Sequence, residues 1–167
     1  MNKTKKNYPK RYIPKSITKK DKIKQKKEIE KSKKEYKKGK YYTRKKINSF
    51  KTKLSPHVKK AYKIYNLDKI KINKSLSKKT GCSIKSLKKI VNKGKGAYYS
   101  SGSRPNQTAE SWGIARLSSS ITGGKSSAID YNILKEGCKK NSKALKLANK
   151  TKKIHKKGKR KIPKIKI

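Results

Sequence analysis

The sequence predicts an all-α fold: a small bundle of short helices containing a helix-turn-helix-like unit, with a basic tail at each end. Between residues 55 and 150, apolar residues return every three or four positions. Most of these runs have a capping residue ahead of them and a glycine behind. No run in that stretch alternates in the manner of a strand. Lysine dominates residues 1–42 and 152–167, which leaves residues 43–151 as the compact helical domain.

The N-terminal arm, residues 1–42, reads as partly helical. A helix over residues 15–38 starts at Ser16, ends at Gly39 and holds four of the eight acids, Asp21, Glu28, Glu30 and Glu35. Glu30 stands one turn before Lys34, a favourable helical pair. Ile17, Ile23 and Ile29 are too sparse for a core-facing stripe, so this helix is expected to be solvated or to await a partner. Ser55-Pro56 opens the first helix of the domain, with Val58, Ala61, Tyr62 and Tyr65 on one face. Asn73 opens a short segment that Gly81 closes. Ser83 caps a helix carrying Ile84, Leu87, Ile90 and Val91, expected to stop before Gly94. Thr108 caps a segment with Trp112, Ala115 and Leu117, stopped by Gly123-Gly124. Ser127 and Asp130 read as a capping box for a helix through Ile133 and Leu134 to Gly137. Asn141 begins the last helix, with Leu145 and Ala148, and the tail 152–167 has no packing face.

Of 167 residues, 54 are Lys or Arg and 8 are Asp or Glu, a formal net charge of +46. Self-repulsion on that scale opposes compaction, so the charge is useful only when another molecule neutralises it. Nucleic acid does so well, because each phosphate neutralised releases condensed counterions. An AT-rich coding sequence explains lysine in place of arginine, but not the scarcity of acids. Nucleic acid, DNA ahead of RNA, is therefore the expected partner. Apolar residues make up 30% of the chain and aromatics 7%, so only part of it can bury a core. No apolar run approaches a membrane span, and the N-terminus carries no signal-peptide core. Cys82 and Cys138, with His57 and His155, make no zinc spacing; two reduced, buried thiols are expected, with no metal and no cofactor.

Residues 73–94, NKSLSKKTGCSIKSLKKIVNKG, resemble a helix-turn-helix. Leu76 and Ser77 fit the buried positions of a first helix, and Gly81 fits the left-handed turn. Cys82, Leu87 and Ile90 fit the inner face that follows; Thr80 departs from the apolar residue usual at its place. Lys85, Lys88, Lys89, Asn92 and Lys93 then point outward, a cationic face with an amide suited to adenine edges. Lys95 extends it. Residues 94–125 differ in composition, with Gly, Ser and Tyr replacing Lys. Arg104 and Arg116 stand here as arginine in a chain that otherwise chooses lysine, which argues for a planar fork on phosphate, carboxylate or carbonyl. Together, Lys85, Lys88, Lys89, Asn92, Lys93, Lys95, Arg104 and Arg116 are the expected nucleic-acid-binding residues. Tyr98 and Tyr99 are suited either to stacking on bases or, with Trp112, to filling the core.

The run GAYYSSGSRPNQTAESWGIARLSSSITGGKSSAIDYNIL, with the preceding TGCSIKSLKKIVNKG and the earlier RYIPKS, resembles a small domain of unknown function found in large DNA viruses and some bacteriophages. The resemblance implies a viral origin; for a basic genome-binding protein of such a source, the expected place is the virion, or the host nucleus or viral factory during assembly. The resemblance transfers no catalytic residue. The extended basic arms also suit an alternative partner: an acidic virion protein, gripped by a minor capsid or cement protein. Enzyme readings find no support. Gly124-Lys125-Ser126 ends like a phosphate-binding loop, but its upstream glycine would fall on Ser119 and no strand precedes it. No acid pair, metal set or nucleophile elbow has a usable spacing.

Overall fold

The computed structural model describes residues 5–155 and 162–167. Those residues are mostly helical: α1 (Lys19–Lys37), α2 (Pro56–Tyr65), α3 (Lys74–Thr80), α4 (Ile84–Ser100), α5 (Ala109–Ile121), α6 (Lys125–Ile129), α7 (Tyr131–Gly137) and α8 (Lys143–His155). Two three-residue strands, β1 (Asn7–Pro9) and β2 (Lys164–Lys166), pair antiparallel with Tyr8 opposite Ile165. The described residues fall into two compact units, one of residues 5–53, 96–109 and 162–167, the other of residues 54–95 and 110–155.

The first unit replaces the expected solvated arm with packed structure. Helix α1 starts on Thr18, whose hydroxyl accepts from the Asp21 N–H, and the chain leaves it through Gly39 at φ +76°. The unit's buried apolar side chains are few: Tyr8, Tyr12, Ile13, Ile17, Ile29, Ile47, Tyr98 and Ala109. Carboxylates on α1 supply the remaining fastening. Asp21 accepts from the backbone and hydroxyl of Ser49, at 3.0 and 2.5 Å. Glu28 accepts from the Tyr42 hydroxyl at 2.9 Å and the Lys45 N–H at 2.7 Å. Glu30 accepts from Lys6 at 2.9 Å and the Tyr8 hydroxyl at 2.7 Å. Hydrogen bonds to a charged group contribute more than neutral ones where they are shielded, and less at the surface. Asn106, at φ +62°, ties the 47–52 segment: its amide accepts from the Ile47 N–H and donates to the carbonyls of Ile47 and Phe50. The end of the C-terminal basic stretch, residues 162–167, supplies β2 instead of a free tail; the rest of it, residues 156–161, lies outside the described residues.

The second unit holds the larger core. Val58, Ala61 and Tyr65 of α2, Leu76 of α3, Leu87, Ile90 and Val91 of α4 and Leu117 and Ile121 of α5 are all buried, with Ile133 and Leu134 of α7 and Ala144, Leu145 and Ala148 of α8. Each fully buried Leu or Ile contributes roughly 1.5–3 kcal/mol. Helices α6, α7 and α8 pack together. Ser55 caps α2 with Pro56 in the first turn, and Asn73 caps α3 by accepting from the Leu76 N–H at 2.9 Å.

Four local expectations give way. Helix α4 does not stop before Gly94 but runs on to Ser100, because that glycine is a contact and not a terminator: a Cβ there would meet the Cα of Gly113 at 2.6 Å. The capping box does not form. Asp130 separates α6 from α7 and its side chain makes no capping bond, since Arg116 and Ser120 engage it. The last helix is capped by Ser142, one residue beyond Asn141, through the Leu145 N–H. Finally, Cys82 and Cys138 form a disulfide across 56 residues, with Ser83 N–H to Gly137 carbonyl and Lys139 N–H to Gly81 carbonyl bonds flanking it. They are not reduced thiols.

Candidate nucleic-acid interface

The candidate face starts from a tight turn. Helix α3 ends on Gly81 in the left-handed conformation, φ +74°. A Cβ at this position would also meet Ser142 Cβ at 2.6 Å, so both backbone and space select glycine. Thr80, the residue that departs from the helix-turn-helix pattern, is fully buried but satisfied. Its hydroxyl donates to the Leu76 carbonyl at 2.9 Å and accepts from the Cys82 N–H at 3.3 Å, so a polar residue closes the turn. Ser83 then caps α4 by accepting from the Ser86 N–H at 3.2 Å. With Leu87 and Ile90 fully buried, the opposite face of α4 carries Lys85, Lys88, Lys89 and Asn92, all exposed. Their spacing puts them on one side of the helix. Among the described residues, none of the three lysines has an ion-pair partner.

The other expected residues divide differently. Lys93 is exposed on the same helix but reaches the Asp130 carboxylate at 3.4 Å. Lys95 pairs with Glu110 at 2.7 Å. Arg104 is exposed in the loop after α4. Arg116 presents its fork to Asp130, Nε at 2.9 Å and one terminal nitrogen at 2.8 Å. The Asp130 side chain is fully buried and also accepts from the Ser120 hydroxyl at 3.0 Å. The arginine chosen at 116 thus meets an internal carboxylate, which a planar fork matches and a point charge does not.

The same argument from residue choice, applied along the whole chain, finds Arg44, which the sequence reading passed over. This side chain is buried in the first unit. It donates to Ser32 Oγ at 2.9 Å, the Tyr98 carbonyl at 2.6 Å and Ser103 Oγ at 2.6 Å, and it lies 3.7 Å from the centroid of the Tyr98 ring. Desolvation lowers its pKa, and the surrounding tyrosines and Glu28 oppose that shift. Burial likewise pushes up the Tyr42 phenol, to about 12, with Glu28 adding to the effect. Of the paired tyrosines, Tyr98 is fully buried while Tyr99 is partly open. Tyr99 stacks with Tyr36 at 6.0 Å and 12° and meets Tyr41 at 5.1 Å, a surface cluster brought together from two distant segments of the chain.

Among the described residues, no three His, Cys, Asp or Glu side chains gather so as to hold a metal ion, and no helix is long and apolar enough to cross a membrane. A family of unknown function, DUF5824, matches residues 9–141, and the chain belongs to that family. No curated protein and no solved structure matches.

Proposed function

We propose that this member of the family is a nucleic-acid-binding protein of a DNA virus, which neutralises and tethers the genome in the virion. The observation that carries the reading is the outer face of α4: Lys85, Lys88, Lys89 and Asn92 stand exposed, with the three lysines unpaired among the described residues, in a chain of net charge +46. In this reading α3, the Gly81 turn and α4 act as a helix-turn-helix unit, and α4 lies in the major groove. The lysines neutralise phosphates and Asn92 meets a base edge. Arg104 and the lysines of both units add contacts that are independent of sequence. No residue is assigned a catalytic step.

The test is a salt titration of duplex binding by the intact protein and by Lys85→Gln/Lys88→Gln/Lys89→Gln. Each phosphate contact contributes a slope of about −0.9 to log K against log salt, so the intact protein should show a steep dependence and the triple variant one shallower by about 2 to 3. A flat dependence in the intact protein, or an unchanged slope in the variant, would overturn the assignment. Tighter binding to polyglutamate than to DNA at equal charge would instead favour an acidic virion protein as partner.

A further inference from the structure

We propose that the Tyr36, Tyr41 and Tyr99 cluster of the first unit is a stacking platform for the bases of single-stranded nucleic acid. The inference rests on reading the chain as a nucleic-acid binder, but it concerns a different surface and a different form of the partner. The three rings touch in every pairing: Tyr36 and Tyr99 are near-parallel at 6.0 Å, and Tyr41 is tilted at 45° against both, at 6.2 and 5.1 Å. Their position is built. Tyr99 also meets the buried Tyr98 edge-on at 5.1 Å.

Core packing does not account for the place of Tyr41. Tyr36, at 37% exposed, and the partly open Tyr99 are largely packed, but Tyr41 is 73% exposed, so burial of its ring does not hold it there. What the arrangement does present is a group of adjoining aromatic rings at the surface, most open at Tyr41. The charge around it selects the occupant. Residues 31–53 contain eleven lysines and arginines and a single acid, Glu35. Lys37, Lys38 and Lys40 are exposed in the turn that joins Tyr36 to Tyr41. A flat, anionic ligand satisfies both features. In a duplex the base faces are already stacked on each other, so the ligand is a single strand, with bases on the tyrosines and phosphates on the lysines. Such stacking tolerates any base, since every base has a π-face.

The experiment compares a short oligothymidylate with an abasic backbone of the same length and phosphate count, using the full chain. The intact protein should bind the base-bearing strand more tightly. Tyr41→Ala, which touches a mostly exposed side chain, should weaken oligothymidylate binding by about 5- to 150-fold and leave abasic and duplex binding unchanged. Tyr41→Phe should retain binding, and Tyr36→Ala should reproduce the loss. Equal affinity of the intact protein for both strands, or an equal drop on both in Tyr41→Ala, would overturn the platform. The α4 triple variant, measured on duplex alongside, keeps the two proposals apart. Loss there with no effect of Tyr41→Ala removes only the platform, and the converse removes only the α4 interface.

Discussion

Replacing Arg116 by lysine should cost the second unit stability while leaving nucleic-acid binding intact. Asp130 is fully buried and receives two of its hydrogen bonds from the Arg116 fork, with Ser120 at 3.0 Å and Lys93 at 3.4 Å as its other donors. A lysine keeps the charge but reaches the carboxylate through one point, so at least one charge-assisted bond is lost, about 1.5–3 kcal/mol. Arg116→Met removes both bonds and leaves a buried anion held only by a half-exposed lysine and a hydroxyl, for about 3–5 kcal/mol. Adding Asp130→Asn to Arg116→Met should recover part of that loss, because the orphaned charge goes with it. The assay is urea and thermal unfolding followed by Trp112, the chain's one tryptophan, which lies half-buried on α5 in this unit. For a chain of this size the lysine variant should melt roughly 4–10 °C lower. Its salt slope on duplex DNA should match the intact protein. Unfolding of Arg116→Lys at the native midpoint, or a slope shallower by a full phosphate contact, would refute the assignment of Arg116 to Asp130.

Two other outcomes follow from the same structure. Reducing the Cys82–Cys138 bond, which closes a span of 56 residues, should destabilise the second unit by up to about 4 kcal/mol; urea unfolding with and without reductant measures this, and identical midpoints would show that the bond contributes nothing. Acidification should loosen the first unit. Hydrogen bonds from Ser49 hold the Asp21 carboxyl below its ordinary value, and at Glu30 burial is outweighed by the bonds from Lys6 and Tyr8 and the charge of Lys33. Depressed carboxyl pKa values mean that the unfolded chain binds the extra protons, so this stabilisation is present above pH ~4 and disappears as the pH falls through the lower folded values. The helical signal against pH should show it, with an earlier acid transition in Asp21→Asn/Glu30→Gln; acid resistance equal in both proteins would remove these carboxylates from the account.

Three of the helix starts were plainly legible in the sequence. Ser55, Asn73 and Ser83 cap where they were expected to, because a hydroxyl or amide beside an apolar run satisfies orphan N–H groups wherever the helix later packs. The helix ends were less so. Gly94 has the composition of a stop but serves the approach of Gly113, and nothing local separates those two uses. The first unit was hidden for a different reason: hydroxyl, amide and carboxylate bonds hold much of it, and such partners leave no periodicity. The strands were missed because three residues are too few to alternate. At the candidate interface, the pattern of residues 73–94 located Lys85, Lys88, Lys89 and Asn92 on an exposed face, but the partners of Lys93, Lys95 and Arg116 come from 14 to 37 positions away. The tyrosine cluster likewise needs the fold to assemble it.

The pairing of β1 with β2 sets an order of events during synthesis. Residues 54–155 are synthesised before Lys164–Lys166, so every described part of the second unit precedes the closing strand of the first in the order of synthesis. Helix α1 must also wait for residues 96–109, which bring Ser103 to Gln25 and Arg44, and Asn106 to Ile47. Through that interval the most lysine-rich stretch of the nascent chain has neither its strand partner nor its polar clamps. Contacts between such distant positions form slowly. A polyanion present at the site of translation, the transcript included, would meet this stretch as an unfolded polycation before the first unit had closed.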